Sequence, residues 1–171
     1  LPQFYIDAVI SVEDHRFENH CGIDLIAIGR AVLTDIKEQS FVQGGSTITQ
    51  QLAKNMLFTQ EKKLERKVAE VFAALELECN YSKEDIFELY VNTSYFGNGY
   101  YGVREAADGY FGKTFSELSE YECAMLAGIP NAPSVYSPNA VNESTARRVE
   151  CVLESMVKNR IISQEQAYNI E

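Results

Sequence analysis

Two glutamates, Glu13 and Glu70, occupy helical positions that favour acid–base chemistry over simple solvation. The apolar residues of the first predicted helix share a narrow arc at about 100° per residue, and Glu13 falls inside that arc. Burial disfavours a charged carboxylate, so Glu13 is a candidate for proton transfer near neutrality. The open alternative is that the helix frays at Ser11 and that Glu13 points into water.

Glu70 belongs to a predicted helix over residues 61–79 and lies opposite its apolar stripe, at the edge between an exposed and a covered stretch. The stripe consists of Leu64, Val68, Val71, Phe72, Leu75 and Cys79. Arg66 precedes Glu70 by one turn on the same face. Glu70 is thus either a cleft carboxylate or half of a surface ion pair worth roughly 0.3–0.5 kcal/mol. Enzymes that make or break glycosidic bonds usually use a pair of carboxylates.

The stretch GGSTITQQLAKN, residues 44–55, predicts a polar helix start whose backbone N–H groups can bind an anion. A basic cluster follows it and places five of the fifteen basic residues within fourteen positions: Lys54, Lys62, Lys63, Arg66 and Lys67. A solvated helix face, balanced by Glu61 and Glu65, is the alternative explanation. Together with the two glutamates, this cluster predicts carbohydrate or phosphate chemistry.

The composition predicts one globular domain. The chain has 171 residues, 46% of them hydrophobic, which is enough for a substantial core. Twenty-five acidic against fifteen basic residues give a net charge of -10, which disfavours binding to nucleic acid or to an anionic membrane through the overall charge. The four cysteines form no CxxC pair, and His15, His20 and Cys21 lack a fourth ligand at matching spacing, so a metal–thiolate site is disfavoured.

The elements that must position these residues are nearly all helical. Apolar periodicity predicts helices over residues 3–14, 24–37, 46–57, 61–79, 103–110, 117–128 and 143–160. Ser82 with Asp85, and Ser163 with Gln166, have the spacing of capping boxes that start two more helices. Residues 92–102 contain three glycines and predict a structured loop. Because no alternating strand pattern is present, the predicted fold class is mainly α.

Five blocks, in order, resemble the motifs of the bacterial peptidoglycan glycosyltransferases, glycosyltransferase family 51. This family comprises the transglycosylase domains of class A penicillin-binding proteins and the monofunctional transglycosylases. The blocks cover nearly the whole chain: EDHRFENHCGID (13–24), GGSTITQQLAKN (44–55), RKVAE (66–70), ELYVNTSYFGNGYYGV (88–103) and AMLAGIPNAPSVYSP (124–138).

The resemblance implies an inverting transferase that polymerises lipid II into β-1,4-linked glycan strands and releases undecaprenyl pyrophosphate. Glu13 matches the catalytic general base, which deprotonates the 4-hydroxyl of the acceptor sugar. Glu70 matches a second catalytic glutamate on the pyrophosphate side, acting directly or through a divalent metal (Mg or Mn); no organic cofactor is implied. The resemblance also assigns substrate-binding positions to Asp14, Phe17, His20, Ser46, Thr47, Gln51, Lys54, Arg66, Lys67 and Asn92.

The family resemblance further implies a lysozyme-like helical domain, here residues 1–171, with a smaller membrane-associating lobe. Residues 24–42 are the candidate lobe, because DLIAIGRAVLTDI is apolar all round yet too short to span a bilayer. A buried core helix is the alternative. The chain starts inside a helical pattern, so we expect a fragment without its N-terminal membrane anchor, active at the extracytoplasmic face of the bacterial cytoplasmic membrane.

The expected partners are lipid II, the growing glycan chain, the membrane surface and other cell-wall synthesis proteins, and the antibiotic moenomycin is an expected ligand. Two rival functions remain open. A lysozyme-like muramidase or lytic transglycosylase would need a general acid and no phosphate site. A non-catalytic binder of polyprenyl-pyrophosphate sugars would tolerate Glu13→Gln.

Overall fold

Helices make up most of the protein, as the sequence predicts. The computed structural model describes residues 1–38, 45–57, 64–138 and 143–170, without the side chains of residues 32–38 and 64. The helices are α1 (Gln3–Glu13), α2 (Leu25–Glu38), α3 (Ile48–Leu57), α4 (Leu64–Asn80), α5 (Lys83–Thr93), α6 (Val103–Phe111), α7 (Glu120–Gly128), α8 (Pro133–Tyr136), α9 (Glu143–Lys158) and α10 (Gln164–Ile170). Within the described ranges the only β pairing is an isolated bridge between Tyr95 and Tyr101, so the mainly-α prediction is confirmed.

The chain divides into two compact units. The first consists of Leu1–His15 and Ser94–Glu171, and the second of Arg16–Thr93. Glu13 belongs to the first unit, whereas Glu70 and the described part of the basic cluster belong to the second. Lys62 and Lys63 of that cluster, and residues 39–42 of the candidate lobe, lie outside the described residues. The boundaries of the catalytic domain and the lobe therefore stay predictions.

In the first unit, α1 packs against α7 and α9, and α8 and α10 also pack against α9. The core is built from large side chains that face inward from these helices, among them Tyr5, Leu126, Leu153 and Met156. The Tyr5 ring meets Phe115 edge-on, with 5.0 Å between centroids. This packing fixes the C-terminal end of α1, where Glu13 lies.

In the second unit, α3 packs against α4 and α5. α5 starts at the predicted capping box, because Ser82 N donates to Asp85 Oδ2 and Asp85 N donates to Ser82 Oγ. The same reciprocal pattern joins Ser163 to Gln166 before α10 in the other unit, so both predicted helix starts are confirmed. The loop predicted over 92–102 begins two residues later, because α5 continues through Thr93.

One prediction about α4 is wrong. Its large apolar stripe does not face the core: Val68 is 52% exposed and Phe72 67%, whereas Glu70 is only 1% exposed and Ala74 is fully buried. The reason is that α4 meets α3 through its small and polar face, which carries Glu70 and Ala74. The apolar side chains are left on the opposite face, and an uncovered apolar stripe of this kind marks a contact surface.

The first turn of α2 is also apolar and uncovered, with Leu25, Ile26 and Ile28 all exposed. The assignment of residues 24–42 to a membrane-associating lobe stays a prediction. None of the helices in the described ranges combines the length and the apolar character needed to cross a bilayer.

Asp24 starts α2 as its N-cap. Its Oδ1 accepts hydrogen bonds from Ile26 N at 2.9 Å and Ala27 N at 3.0 Å, and its Oδ2 lies 3.1 Å from Arg16 Nε. Burial works to raise the pKa of this carboxyl, but the N–H groups of Ala27 and Ile26 and the Arg16 guanidinium outweigh it and hold the pKa below its ordinary value.

A depressed carboxylate pKa makes the contribution of Asp24 to stability dependent on pH. The contribution is complete above the unfolded pKa of about 3.9 and is lost as the pH falls through the lower folded value. We expect Asp24→Asn, which keeps the N-cap, to lower the free energy of unfolding at pH 7 and to change it less at pH 3. Urea unfolding of both proteins at the two pH values measures the difference. An equal difference at both values would contradict a charged role for Asp24.

Candidate active site

Glu13 is the last residue of α1, and its side chain is paired rather than solvated. Its Oε1 accepts a hydrogen bond from Arg148 Nη2 at 3.0 Å, and only 7% of the Glu13 side chain is exposed. α1 therefore does not fray at Ser11, which is itself buried and whose carbonyl accepts from Asn159 Nδ2 at 3.2 Å. The prediction that Glu13 points inward is the one that the structure supports.

Arg148, on α9, makes two further contacts that hold its guanidinium beside Glu13. Its Nε donates to the carbonyl of Gly128 at 3.1 Å, and its guanidinium lies 5.5 Å from the centre of the Tyr136 ring. Gly128 allows this approach, since a Cβ there would lie 2.8 Å from Arg148 Cγ. These contacts fix the position of the guanidinium that orients the Glu13 carboxylate.

Glu70 is a buried carboxylate between two cations. Its Oε1 lies 3.0 Å from Arg66 Nε and its Oε2 lies 2.9 Å from Lys67 Nζ. Both interpretations made from the sequence are partly met, since the i, i+4 pair with Arg66 exists but Glu70 is buried rather than at a surface edge. Two positive charges and one negative charge leave the group with a net charge of +1, which suits an anion.

The loop before α3 joins this cationic group. Lys67 Nζ also donates to Ser46 Oγ at 2.8 Å. Four of the predicted site residues therefore form one connected cluster: Ser46, Arg66, Lys67 and Glu70. The Lys67 side chain is 46% exposed, so its ammonium can reach a ligand while Glu70 holds it in place. We call these four residues the cationic cluster.

Thr47 and Gln50 cap the first turn of α3. Thr47 N donates to Gln50 Oε1, and Gln50 N donates to Thr47 Oγ1, both at 3.1 Å. The Thr47 hydroxyl donates in turn to the carbonyl of Gly22 at 2.6 Å. The hydroxyl of Thr47, a predicted substrate-binding residue, is therefore already engaged in a hydrogen bond within the fold. Gln51, another predicted substrate-binding residue, accepts a hydrogen bond through its Oε1 from Tyr90 Oη at 3.3 Å.

The other predicted residues differ in burial. Phe17 and Asp14 are buried, and His20 is half-buried. Lys54 and Asn92 are exposed on α3 and α5. Burial alone does not decide whether a side chain binds substrate, so the substrate-binding roles of these five residues stay predictions.

The sequence interpretation missed Arg148. The clue was available, because Thr145, Val149 and Val152 lie on the buried stripe of α9 and position 148 shares that face. Its neighbour Arg147 instead makes an exposed i, i+4 pair with Glu143. Helical periodicity could therefore have separated a buried arginine from a surface one.

The described residues do not fit a divalent metal at Glu70. Both of its oxygens already face cations, and among the residues with described side chains no three His, Cys, Asp or Glu groups come together as ligands. A Mg or Mn site prefers several oxygen ligands, which this arrangement does not offer.

Comparison with known proteins gives a consistent result. The Transglycosylase family matches residues 1–157. Penicillin-binding protein 1A of Aquifex aeolicus (strain VF5) is 45% identical over 166 residues, which are 97% of this chain and 23% of that protein. Penicillin-binding protein 1F of Bacillus subtilis (strain 168) is 45% identical over 167 residues, covering 98% of this chain and 23% of that protein.

A solved structure agrees with the sequence matches. The crystal structure of Penicillin-Binding Protein 1A from Haemophilus influenzae superposes with a TM-score of 0.50 and 31% identity, over 72% of this chain and 16% of that chain. The chain spans about a quarter of the length of the two curated relatives. The family match itself extends over almost the whole sequence. The chain therefore belongs to the Transglycosylase family.

Proposed function

We propose that this domain polymerises lipid II by inverting glycosyl transfer and that Glu13 is the general base. The observation that carries the proposal is the ion pair between Glu13 and Arg148. A general base needs a fixed orientation toward the acceptor hydroxyl, and the hydrogen bond from Arg148 Nη2 at 3.0 Å orients the Glu13 carboxylate. The family match supports the reaction class, and this pair supports the orientation of the base.

In the proposed step, the Glu13 carboxylate accepts the proton of the 4-hydroxyl of the acceptor sugar. The oxygen of that hydroxyl forms a bond to the anomeric carbon of the growing chain while the bond from that carbon to undecaprenyl pyrophosphate breaks. Attack opposite the leaving group inverts the anomeric carbon and gives the β-1,4 linkage. The proton remains on Glu13 until it is released to solvent.

The leaving pyrophosphate takes the electron pair as an anion, so it needs cations rather than a strong acid. The cationic cluster is our candidate for this role. Arg66 and Lys67 would contact the pyrophosphate oxygens, and Glu70 would hold the two cations at a fixed spacing. The predicted divalent metal does not fit the described residues at Glu70, and no step of this proposal depends on one.

The rival functions fit the same residues less well. A muramidase or lytic transglycosylase needs a general acid that donates to the glycosidic oxygen, whereas Glu13 accepts a hydrogen bond from Arg148. Glycoside hydrolysis releases no anionic leaving group, so its chemistry does not account for the two cations at Glu70. A non-catalytic binder would not need a buried, paired carboxylate at the end of α1.

Incubation of the chain with fluorescent lipid II and with preformed glycan, in detergent, distinguishes the three functions. We expect lipid II to be converted into a ladder of glycan polymers and the preformed glycan to stay intact. Shortening of the preformed glycan would favour the lytic enzyme. Binding of lipid II without any product would favour the non-catalytic binder.

We further propose that the second unit contacts the extracytoplasmic surface of the cytoplasmic membrane. The pyrophosphate of lipid II is attached to a polyprenyl chain in the bilayer, so the residues that bind it must work at headgroup level. α4 carries Arg66 and Lys67 in its first turn, and Val68 and Phe72 are exposed further along the same helix. Lipid II and the glycan strand are the proposed substrates. Moenomycin and other cell-wall synthesis proteins stay proposed partners.

We expect Phe72→Glu to weaken binding to vesicles that contain anionic lipid. Burying a phenylalanine is worth about 1.5–3 kcal/mol, which corresponds to roughly 10–150-fold in affinity. Cosedimentation with phosphatidylglycerol vesicles measures the effect. Tyr168→Glu is the matched control, because Tyr168 is an aromatic residue of the other unit that is also largely exposed. A folded Phe72→Glu variant that binds the vesicles as tightly as the control would contradict the proposed contact between α4 and the membrane.

A further inference from the structure

We propose that Lys83 and Glu78 are positioning residues for the donor side of the reaction. They tie the turn at residues 17–22 to α3 and α4, and thereby fix the segments that carry the cationic cluster. The inference rests on the proposed function, since its readout is lipid II polymerisation. Neither residue belongs to the cationic cluster, so both act through the residues they hold.

Lys83 makes three contacts from the first position of α5. Its Nζ donates to the carbonyl of His20 at 2.7 Å and to Glu78 Oε1 at 2.8 Å. The same ammonium lies 4.4 Å from the centre of the buried Phe17 ring. One cation therefore contacts this turn at two points, the Phe17 ring and the His20 carbonyl.

Glu78 connects that cation to α3. Its Oε1 also accepts a hydrogen bond from Thr49 Oγ1 at 2.6 Å, and Thr49 is fully buried in the first turn of α3. A single carboxylate oxygen thus receives one bond from α3 and one from α5. The first turn of α3 follows Ser46 and Thr47 directly, so its placement determines where the Ser46 hydroxyl meets Lys67.

Gly22 brings the turn into backbone contact with α4. Its φ is +84°, and a Cβ at this position would lie 2.9 Å from the carbonyl oxygen of Ala74 and 3.2 Å from Glu78 Cγ. Only glycine fits such a conformation and such an approach. The Gly22 carbonyl then accepts from Thr47 Oγ1, so the turn is joined to the start of α3 a second time.

These contacts form one network in which a loss at any point affects the others. The Lys83 and Glu78 side chains are largely buried, and removing one member of a buried ion pair leaves the other uncompensated. A shift of about 1 Å in a substrate-binding group can lower activity by about 10²-fold. The network therefore controls donor binding without touching the donor.

Kinetics of Lys83→Met test the inference. We expect kcat/KM for lipid II to fall by about tenfold or more at a temperature where the variant is folded, mainly through a higher KM. Lys83→Arg, which keeps the charge, should recover most of the loss. Thr49→Val should raise KM in the same direction, and the Thr49→Val, Lys83→Met double variant should lose less than the product of the two single losses.

Lys113→Met is the matched control, because Lys113 pairs with Glu122 at 2.6 Å, also partly buried, but in the first unit. It should lose stability without a change in KM. The inference is overturned if Lys83→Met has the KM of this control, or if Lys83→Met and Thr49→Val act independently. If Lys83→Met does not fold, an unchanged KM in folded Thr49→Val overturns it. Failure of the wild-type chain to polymerise lipid II would instead count against the proposed function.

Discussion

Glu13→Gln is expected to lower kcat for lipid II polymerisation by about 10²–10⁴-fold, the range that a positioned general base contributes. Glutamine keeps the size of the side chain and can still accept a hydrogen bond from Arg148, so the fold should persist. What it lacks is the ability to accept the proton of the acceptor hydroxyl. The KM for lipid II should change far less than kcat, because the base acts in the transition state.

Glu18→Gln is the control for this prediction. Glu18 lies five residues further along the same acidic stretch and is exposed, so its loss should leave kcat unchanged. Circular dichroism and thermal unfolding establish that both variants are folded. A folded Glu13→Gln variant with more than about a tenth of the wild-type kcat would exclude Glu13 as the base.

Lys67→Met is expected to lower kcat/KM for lipid II by roughly 10–150-fold. A hydrogen bond to a charged group contributes about 1.5–3 kcal/mol, and this substitution also reduces the net charge of the cationic cluster from +1 to zero. The Arg66–Glu70 pair remains, so Glu70 is not left without a counter-charge. Lys67→Arg should recover much of the activity.

Arg147→Gln provides the comparison, since it removes a cation from an exposed pair on α9. Exposed pairs contribute little to stability, and this one lies in the other unit. Steady-state rates over a range of lipid II concentrations measure both variants. If Lys67→Met lowers only the melting temperature and leaves kcat/KM at the level of Arg147→Gln, the cationic cluster has a structural role alone.

The helices were largely predictable from sequence because their signals are local. Apolar periodicity and the capping pairs Ser82–Asp85 and Ser163–Gln166 depend on residues a few positions apart. Features that depend on residues far away in sequence were harder to predict. The face on which α4 is buried is decided by Gly22 and Thr49, which lie far away in sequence, and the apolar stripe gave the wrong answer.

In the candidate site, too, residues marked by local patterns were predicted, whereas a residue that depends on a distant partner was missed. Glu13 and Glu70 were singled out by their places on helices, Arg66 by its spacing to Glu70, and Lys67 as a member of the basic cluster. Arg148 was missed because it lies 135 positions from Glu13, so no local pattern joins them. Pairing across such a separation is set by the packing of α1 and α9, which the sequence of either helix alone does not encode.

The most direct test of the central claim is the stoichiometry of the reaction with purified chain and labelled lipid II. The account predicts one undecaprenyl pyrophosphate released for each disaccharide added to a β-1,4-linked strand, and almost no release with Glu13→Gln. Release by Glu13→Gln at the wild-type rate would contradict the account, as would lipid release without strand growth.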